Sequence, residues 1–280
     1  LAINNTDTLS FKHDYIVSPL TKELSLPESV DAGINYLAGD TAVTLVLAAP
    51  DKKNVFLLGD FNDWSLHGVH QMQRDQDYFW ITLEALEKGK EYQFQYLIDG
   101  EILVADPYTE KIISRFDDIQ IRNENRYPNL DPYPIDNTNF EVSVLQPFKP
   151  IYEWKESSFQ KPKKEDLVIY ELLVRDFTDQ RTFQSVIDKL DYLDSLGINA
   201  LELMPIMEFE GNLSWGYNPA FMMAVDKYYG TDHELKKLID ACHQRGIAVV
   251  LDIVLNHHFG RSSLVRLYNS GDYGAPNADN

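Results

Sequence analysis

Leu167-Val168-Ile169-Tyr170-Glu171-Leu172-Leu173-Val174 is a nearly continuous apolar run, as expected for a strand covered on both faces. Beyond it, Phe183, Val186, Ile187, Leu190 and Leu193 recur at i, i+3, i+4, i+7 and i+10. That spacing predicts one stripe of a helix, closed by Gly197. Ala200–Ile206 predicts a second strand. After a long loop, Thr231 and Glu234 form a T-x-x-E capping box. The helix it opens buries Leu235, Leu238, Ile239 and Cys242 and ends at Gly246. Ala248–Leu255 predicts a third strand. Strand, helix, strand is the grammar of a parallel β/α fold with right-handed crossovers, and the unit is counted three times.

Upstream the period changes to two. Val43, Leu45 and Leu47 alternate with Thr44, Val46 and Ala48, predicting a strand with one buried face. Val55–Leu58, Tyr78–Leu83, Tyr92–Ile98 and Glu101–Val104 are further short strand-like runs. Asp99-Gly100 between the last two predicts a type I′ hairpin. Strands at such spacing imply a small antiparallel sandwich of immunoglobulin-like type. Between Pro128 and Pro162 lie six of 13 prolines, so this stretch reads as an ordered connector packed on a neighbour through Tyr127, Tyr133, Phe148, Tyr152 and Trp154. The expected organisation is an N-terminal segment at 1–28, the sandwich at 29–115, the connector at 116–165 and β/α units at 166–280.

Composition narrows the function. The 280 residues carry 25 Lys+Arg against 44 Asp+Glu, a formal charge of −19. Phosphate backbones and anionic membrane surfaces are repelled by such a chain, while a neutral ligand or a cation is compatible with it. No apolar run approaches the roughly 20 residues of a bilayer span. The single cysteine, Cys242, excludes an internal disulfide framework and reads as a small core residue. No Gly-rich phosphate loop and no G-x-S-x-G elbow occurs.

In parallel β/α folds chemistry gathers where strands lead into helices. The loop Met207–Pro219 is long for such a unit and carries Trp215 and Tyr217. Their flat rings either stack on a ligand or cap the core. Asp252 interrupts the third apolar run, which requires that its carboxylate be paired. Asn256 and His257 follow at the strand exit. A zinc site on His257, His258 and Asp252 is disfavoured, because adjacent residues of an extended segment point in opposite directions. A hydrogen-bonded Asp and His without any ligand stays open as the structural alternative.

Taken together these segments resemble the α-amylase superfamily, glycoside hydrolase family 13. Asp252–His257 resembles its D-x-x-x-N-H region, Ser214-Trp215-Gly216-Tyr217 its S-W-G-Y run, and Glu202-Leu203-Met204-Pro205 the preceding E-L-M-P. Tyr228-Tyr229-Gly230-Thr231 resembles its Y-G-T, and Tyr170–Phe177 the Y-E-x-x-V-R-D-F of strand one. Gly59–Trp64 resembles the G-x-F-N-x-W signature of sandwiches related to family 48 carbohydrate-binding modules. The resemblance implies a sandwich followed by the first three β/α units of a TIM (β/α)8 barrel. It assigns Tyr217 to stack on the sugar, His257 to hydrogen-bond it, Trp215 to contact the glycan and Asp252 to act as a buried organising carboxylate. It also makes Asn256 a calcium ligand, as in many members, and Trp64 more often structural than a sugar platform.

The same resemblance implies a retaining hydrolase of α-amylase type acting on α-1,4 linkages of starch, glycogen or maltodextrin. Its nucleophile Asp, acid/base Glu and stabilising Asp follow strands four, five and seven, so they are expected after Asn280 in a longer parent. The 280-residue chain alone is expected to be inactive. A branching, debranching or other transglycosylating member, and a non-catalytic glycan-binding protein, are the alternatives. A secreted, periplasmic or cell-surface bacterial location is expected, although no targeting segment supports it.

Overall fold

The computed structural model describes residues 20–37 and 42–269, together with the short backbone pair β1 (Ala2–Ile3) and β2 (Thr8–Leu9). The rest of the 1–28 segment before Leu20, and the last residues of the β/α region, lie outside the described residues.

The sandwich has two antiparallel sheets. One is ordered β3 (Gly33–Tyr36), β4 (Val43–Ala48), β7 (Tyr78–Leu83) and β6 (Gln73–Asp75). The other contains β5 (Val55–Gly59), β8 (Tyr92–Ile98) and β9 (Ile102–Val104), the last two joined by the hairpin at Asp99-Gly100. Both turn residues have positive φ, 52° and 75°, as a type I′ turn requires. Leu45, Leu47, Phe79 and Ile81 meet Leu57, Phe94 and Tyr96 in the core between the sheets.

The expected half-burial of β4 is corrected here: Thr44 and Val46 are buried as well. Residues 22–24 run along the edge strand β6, Glu23 bridging Arg74, and Trp80 donates its indole N–H to the Leu24 carbonyl at 3.0 Å. The connector departs further from expectation. After β10 (Ile112–Ile113) and the short helix α1 (Asp118–Asn123), β11 (Val142–Leu145) pairs with β8, Ser143 opposite Phe94. A strand within the proline-rich stretch therefore completes the sandwich's second sheet. Its side chains serve two cores: Leu145 packs in the sandwich, and Val142 and Val144 pack in the β/α cluster.

The β/α region is a parallel sheet of β12 (Ile169–Leu172), β13 (Ala200–Leu203) and β16 (Ala248–Leu251), with Ile169, Ala200 and Ala248 in register. These strands are shorter than the apolar runs; β13 stops two residues before Pro205, which has no N–H to extend the ladder. Alternation divides the sheet. Leu172, Leu201 and Leu203 pack against helices, whereas Glu171 and Glu202 stand side by side on the opposite face. After the turn α2 (Val174–Phe177), the predicted first helix is two pieces, α3 (Phe183–Ile187) and α4 (Leu190–Ser195). The break at Asp188-Lys189 keeps Val186, Leu190 and Leu193 on one buried stripe. The capping box at Thr231 opens α5 (Asp232–His243) as predicted, with Glu234 N–H donating to the Thr231 hydroxyl at 3.1 Å. Cys242 is fully buried in this helix's packing face, and burial pushes its thiol up to about 12.

Two loops leave the pattern. The segment read as a long loop after β13 is a hairpin of β14 (Met207–Phe209) and β15 (Pro219–Val225). Beyond β16, the four-residue α6 (Ser263–Arg266) packs on the sandwich, and Leu267 is buried in the sandwich core.

Candidate functional site

The tip of the β14–β15 hairpin closes on itself through short polar side chains. Glu210 and Asn218 pair, with the Glu210 N–H donating to the Asn218 carbonyl at 3.2 Å and the Asn218 amide donating to the Glu210 carbonyl at 2.7 Å. The Ser214 hydroxyl bonds the Asn218 side chain and accepts the Gly216 N–H at 3.0 Å. Gly216 has φ 89°, and a Cβ there would lie 2.7 Å from both the Cβ and the carbonyl oxygen of Pro205. Only glycine lets the backbone cross Pro205 so closely. The flanking Trp215 and Tyr217 are thereby thrust outward, 60% and 39% exposed.

Tyr217 meets the third strand's exit. Its phenol donates to the Asp252 carboxylate at 2.5 Å. This bond, with burial second, pushes the phenol up to about 12, so it stays a neutral donor. His257 reaches back to the same residue, its Nε2 lying 2.9 Å from the Tyr217 carbonyl oxygen. A carbonyl only accepts, so Nε2 carries a proton. Nδ1 lies 3.2 Å from the Asn256 side chain. The structure therefore brings together Tyr217, Asp252, Asn256 and His257, with Trp215 beside them. Asp252, expected to be buried, is partly exposed in this chain.

Trp215 and Tyr217 form one wall of an open cleft of about 440 Å3, whose other lining residues are Glu171, Leu173, Asp176 and Met204. Sequence reasoning did not single out Glu171 or Asp176 as site residues. The signal was present, since Glu171 and Glu202 are charges within apolar strands and share a register. The cleft offers aromatic faces with carboxylates and an imidazole nearby, which suits a polyhydroxylated ring with apolar C–H faces.

Behind the hairpin lies a buried ionic cluster. Lys227 contacts Glu208, and its ammonium lies 3.4 Å from Asp118 of α1. Burial opposes the charge on Lys227, but the Asp118 and Glu208 carboxylates hold it protonated. Burial pushes Glu208 up to about 7 and raises Asp226. Asn212 donates to the Asp117 carbonyl at 3.0 Å, and Arg261 pairs with Asp117 at 2.7 Å while its N–H donates to Glu210 at 2.7 Å. The connector thus braces both site loops.

The Asn256 side chain, expected as a calcium ligand, lies 3.2 Å from His257 Nδ1. Among the described residues no group of three or more His, Cys, Asp or Glu is placed to hold a metal ion. Trp64 packs partly buried against the β/α cluster, its indole N–H donating to Asp60 at 3.0 Å. It is not presented as a free platform. No helix of the described residues is long and apolar enough to cross a membrane.

Residues 157–266 match the family model of the alpha amylase catalytic domain, and residues 32–109 match carbohydrate-binding module 48, the isoamylase N-terminal domain. The malto-oligosyltrehalose trehalohydrolase of Saccharolobus solfataricus is 35% identical over 223 residues, covering 79% of this chain and 34% of that protein. The 1,4-alpha-glucan branching enzyme GlgB of Aliivibrio fischeri is 28% identical over 222 residues, covering 77% of this chain and 29% of that protein. The pullulanase SAP of Group B Streptococcus, solved with maltotetraose, shares the fold with a TM-score of 0.64 at 23% identity, over 82% of this chain and 34% of that one. The chain spans about a third of the length of these proteins.

Proposed function

We infer that this chain, an α-amylase superfamily polypeptide with a family 48-type module ahead of its catalytic segment, supplies the sugar-holding wall of an α-glucan-active retaining glycoside hydrolase. The observation that carries this reading is the convergence of two loops on one residue: Tyr217 is bonded to Asp252 through its hydroxyl and to His257 through its carbonyl. This fixes the ring plane while leaving a face open to the cleft.

A glucose ring stacks its C–H face on Tyr217, and its chain continues past Trp215. Asp252, by accepting the phenol, sets the tilt of that ring. His257, through its Nε2, holds the Tyr217 backbone in place behind the sugar-facing ring. Retaining cleavage needs two carboxyls about 5–5.5 Å apart, one attacking and one protonating. On this reading they come, with the stabilising Asp, from the part of the polypeptide that follows strand three. Linear α-1,4 glucan is the proposed substrate, cleaved by hydrolysis rather than transferred.

The test is kinetic. On soluble starch and maltoheptaose the full-length protein is expected to release reducing ends. Tyr217→Ala and His257→Ala should each lower kcat/KM at least about tenfold, or about 1.4 kcal/mol of transition-state stabilisation. Wild-type rates in both variants would overturn the assignment. Products of unchanged reducing-end count but new linkages would instead identify a transferase.

A further inference from the structure

We propose that the cleft between the sandwich and the β/α segment is a second binding site for a neutral oligosaccharide. Its identification as an α-glucan rests on the function proposed above. The cleft has a volume of about 700 Å3, lying where the sandwich, the connector at Tyr127–Asp131 and the first turn of α5 meet. That size lies within the range of small-ligand sites.

Its charges decide the ligand class. Four lysines line the cleft, and each is already paired. Lys111 is 2.6 Å from Glu91, Lys149 is 2.9 Å from Asp232 and 3.0 Å from Glu110, and Lys236 is 3.3 Å from Asp232. Lys90 is 2.8 Å from Glu87. No uncompensated ammonium is left to favour a phosphate or a carboxylate ligand. What remains are ammonium donors beside carboxylate acceptors, with the amides of Asn129 and Gln146. A sugar hydroxyl uses both at once.

The remaining walls are rings. Tyr127 and Tyr152 are half-buried at the cleft, and His233 meets Tyr152 edge-on with centroids 4.9 Å apart. Such surfaces match the apolar faces of pyranose rings. Topology gives the cleft a relation to the site already described. In a β/α unit the helix starts at the end where its strand finishes, so the first turn of α5 faces the same end of the sheet as Tyr217 and Asp252. A glucan chain held at one can be presented to the other.

The experiment is hydrogen exchange of the full-length protein with and without maltoheptaose. Protection is expected at residues 127–131 and 231–236 as well as at 213–217 and 252–258. Lys236→Trp, which fills the cleft, should abolish the first protection and spare the second. His233→Ala, an exposed position, should weaken cleft binding several-fold and serves if the bulkier variant does not fold. Protection confined to the Tyr217 region would overturn the second site and leave the proposed function standing. Protection confined to the cleft would support the second site and remove the role given to Tyr217. Protection at neither would overturn both, and cleft protection by inorganic phosphate but not by maltoheptaose would overturn the neutral-ligand assignment.

Discussion

The hydroxyl of Ser263 donates to the carbonyl of Ala105 at 2.6 Å, joining residues 158 positions apart. Ser263 opens α6, immediately after the loop that carries Asp252 and His257. The guanidinium of Arg266 lies 3.6 Å from the Phe140 ring, and Leu267 is wholly buried in the sandwich core. The loop that carries Asp252 and His257 is thus tethered at its far end inside the other domain. Leu267→Ala should cost about 2–5 kcal/mol, the range for deleting a buried leucine. A thermal melt should show sandwich and β/α region losing structure together in one transition. Two separated transitions, with the sandwich unaffected, would contradict the tether.

The crossing of Gly216 over Pro205 gives a test of the hairpin tip. Gly216→Ala puts a Cβ 2.7 Å from Pro205 at a φ of 89°, a backbone cost of order 1–3 kcal/mol if retained. The tip should shift instead, misplacing Trp215 and Tyr217. Maltoheptaose affinity at this site is expected to fall at least about tenfold, with only a modest drop in melting temperature, because the tip buries little. Titration calorimetry on the variant checks this, and unchanged affinity would show that tip geometry does not matter.

The buried Lys227 is the only cation among Glu208, Asp118 and Asp226 in the cluster described. Lys227→Met leaves those acids crowded and unpaired, a loss of about 3–5 kcal/mol for breaking a buried pair. Adding Glu208→Gln removes one orphaned charge and should recover part of it. Chemical denaturation of the single and double variants measures both. A single variant as stable as wild type would mean that the cluster contributes no net stability.

Burial pushes Glu141 up to about 7 from an ordinary value of 4.5, with Arg261 only partly offsetting this. Its folded form therefore holds a proton that the unfolded chain releases. The stability it contributes is fully present below about pH 4.5 and is lost as pH rises through about 7. Burial also raises Asp106, to about 6, with the same sign. Melting temperature should accordingly be higher near pH 5 than near pH 8, and Glu141→Gln should flatten part of that decline. A slope identical to wild type would show that Glu141 does not take up a proton on folding.

The sequence was legible wherever local chemistry sufficed. Period-two alternation and the Asp99-Gly100 turn located strands β4, β5 and β7 to β9, the apolar stripe and the Thr231–Glu234 box located α5, and the S-W-G-Y and D-x-x-x-N-H segments pointed to Tyr217, Asp252 and His257. Each of these signals is set within a few residues by turn geometry, capping or side-chain period. What was not legible depended on distant partners. Val142–Leu145 is a strand only because β8 presents an unpaired edge to it, and proline-rich flanks hid it. Thr44 and Val46 are buried on the face that the alternation assigns to solvent, and nothing within their own strand announces it. Tyr217 and His257 are 40 positions apart, and no periodicity could show that the carbonyl of one accepts from the imidazole of the other. Backbone pairing and burial between remote segments are decided by the whole chain at once, so the site's residue types were written locally while its geometry, and the cleft between the domains, belonged to the tertiary fold.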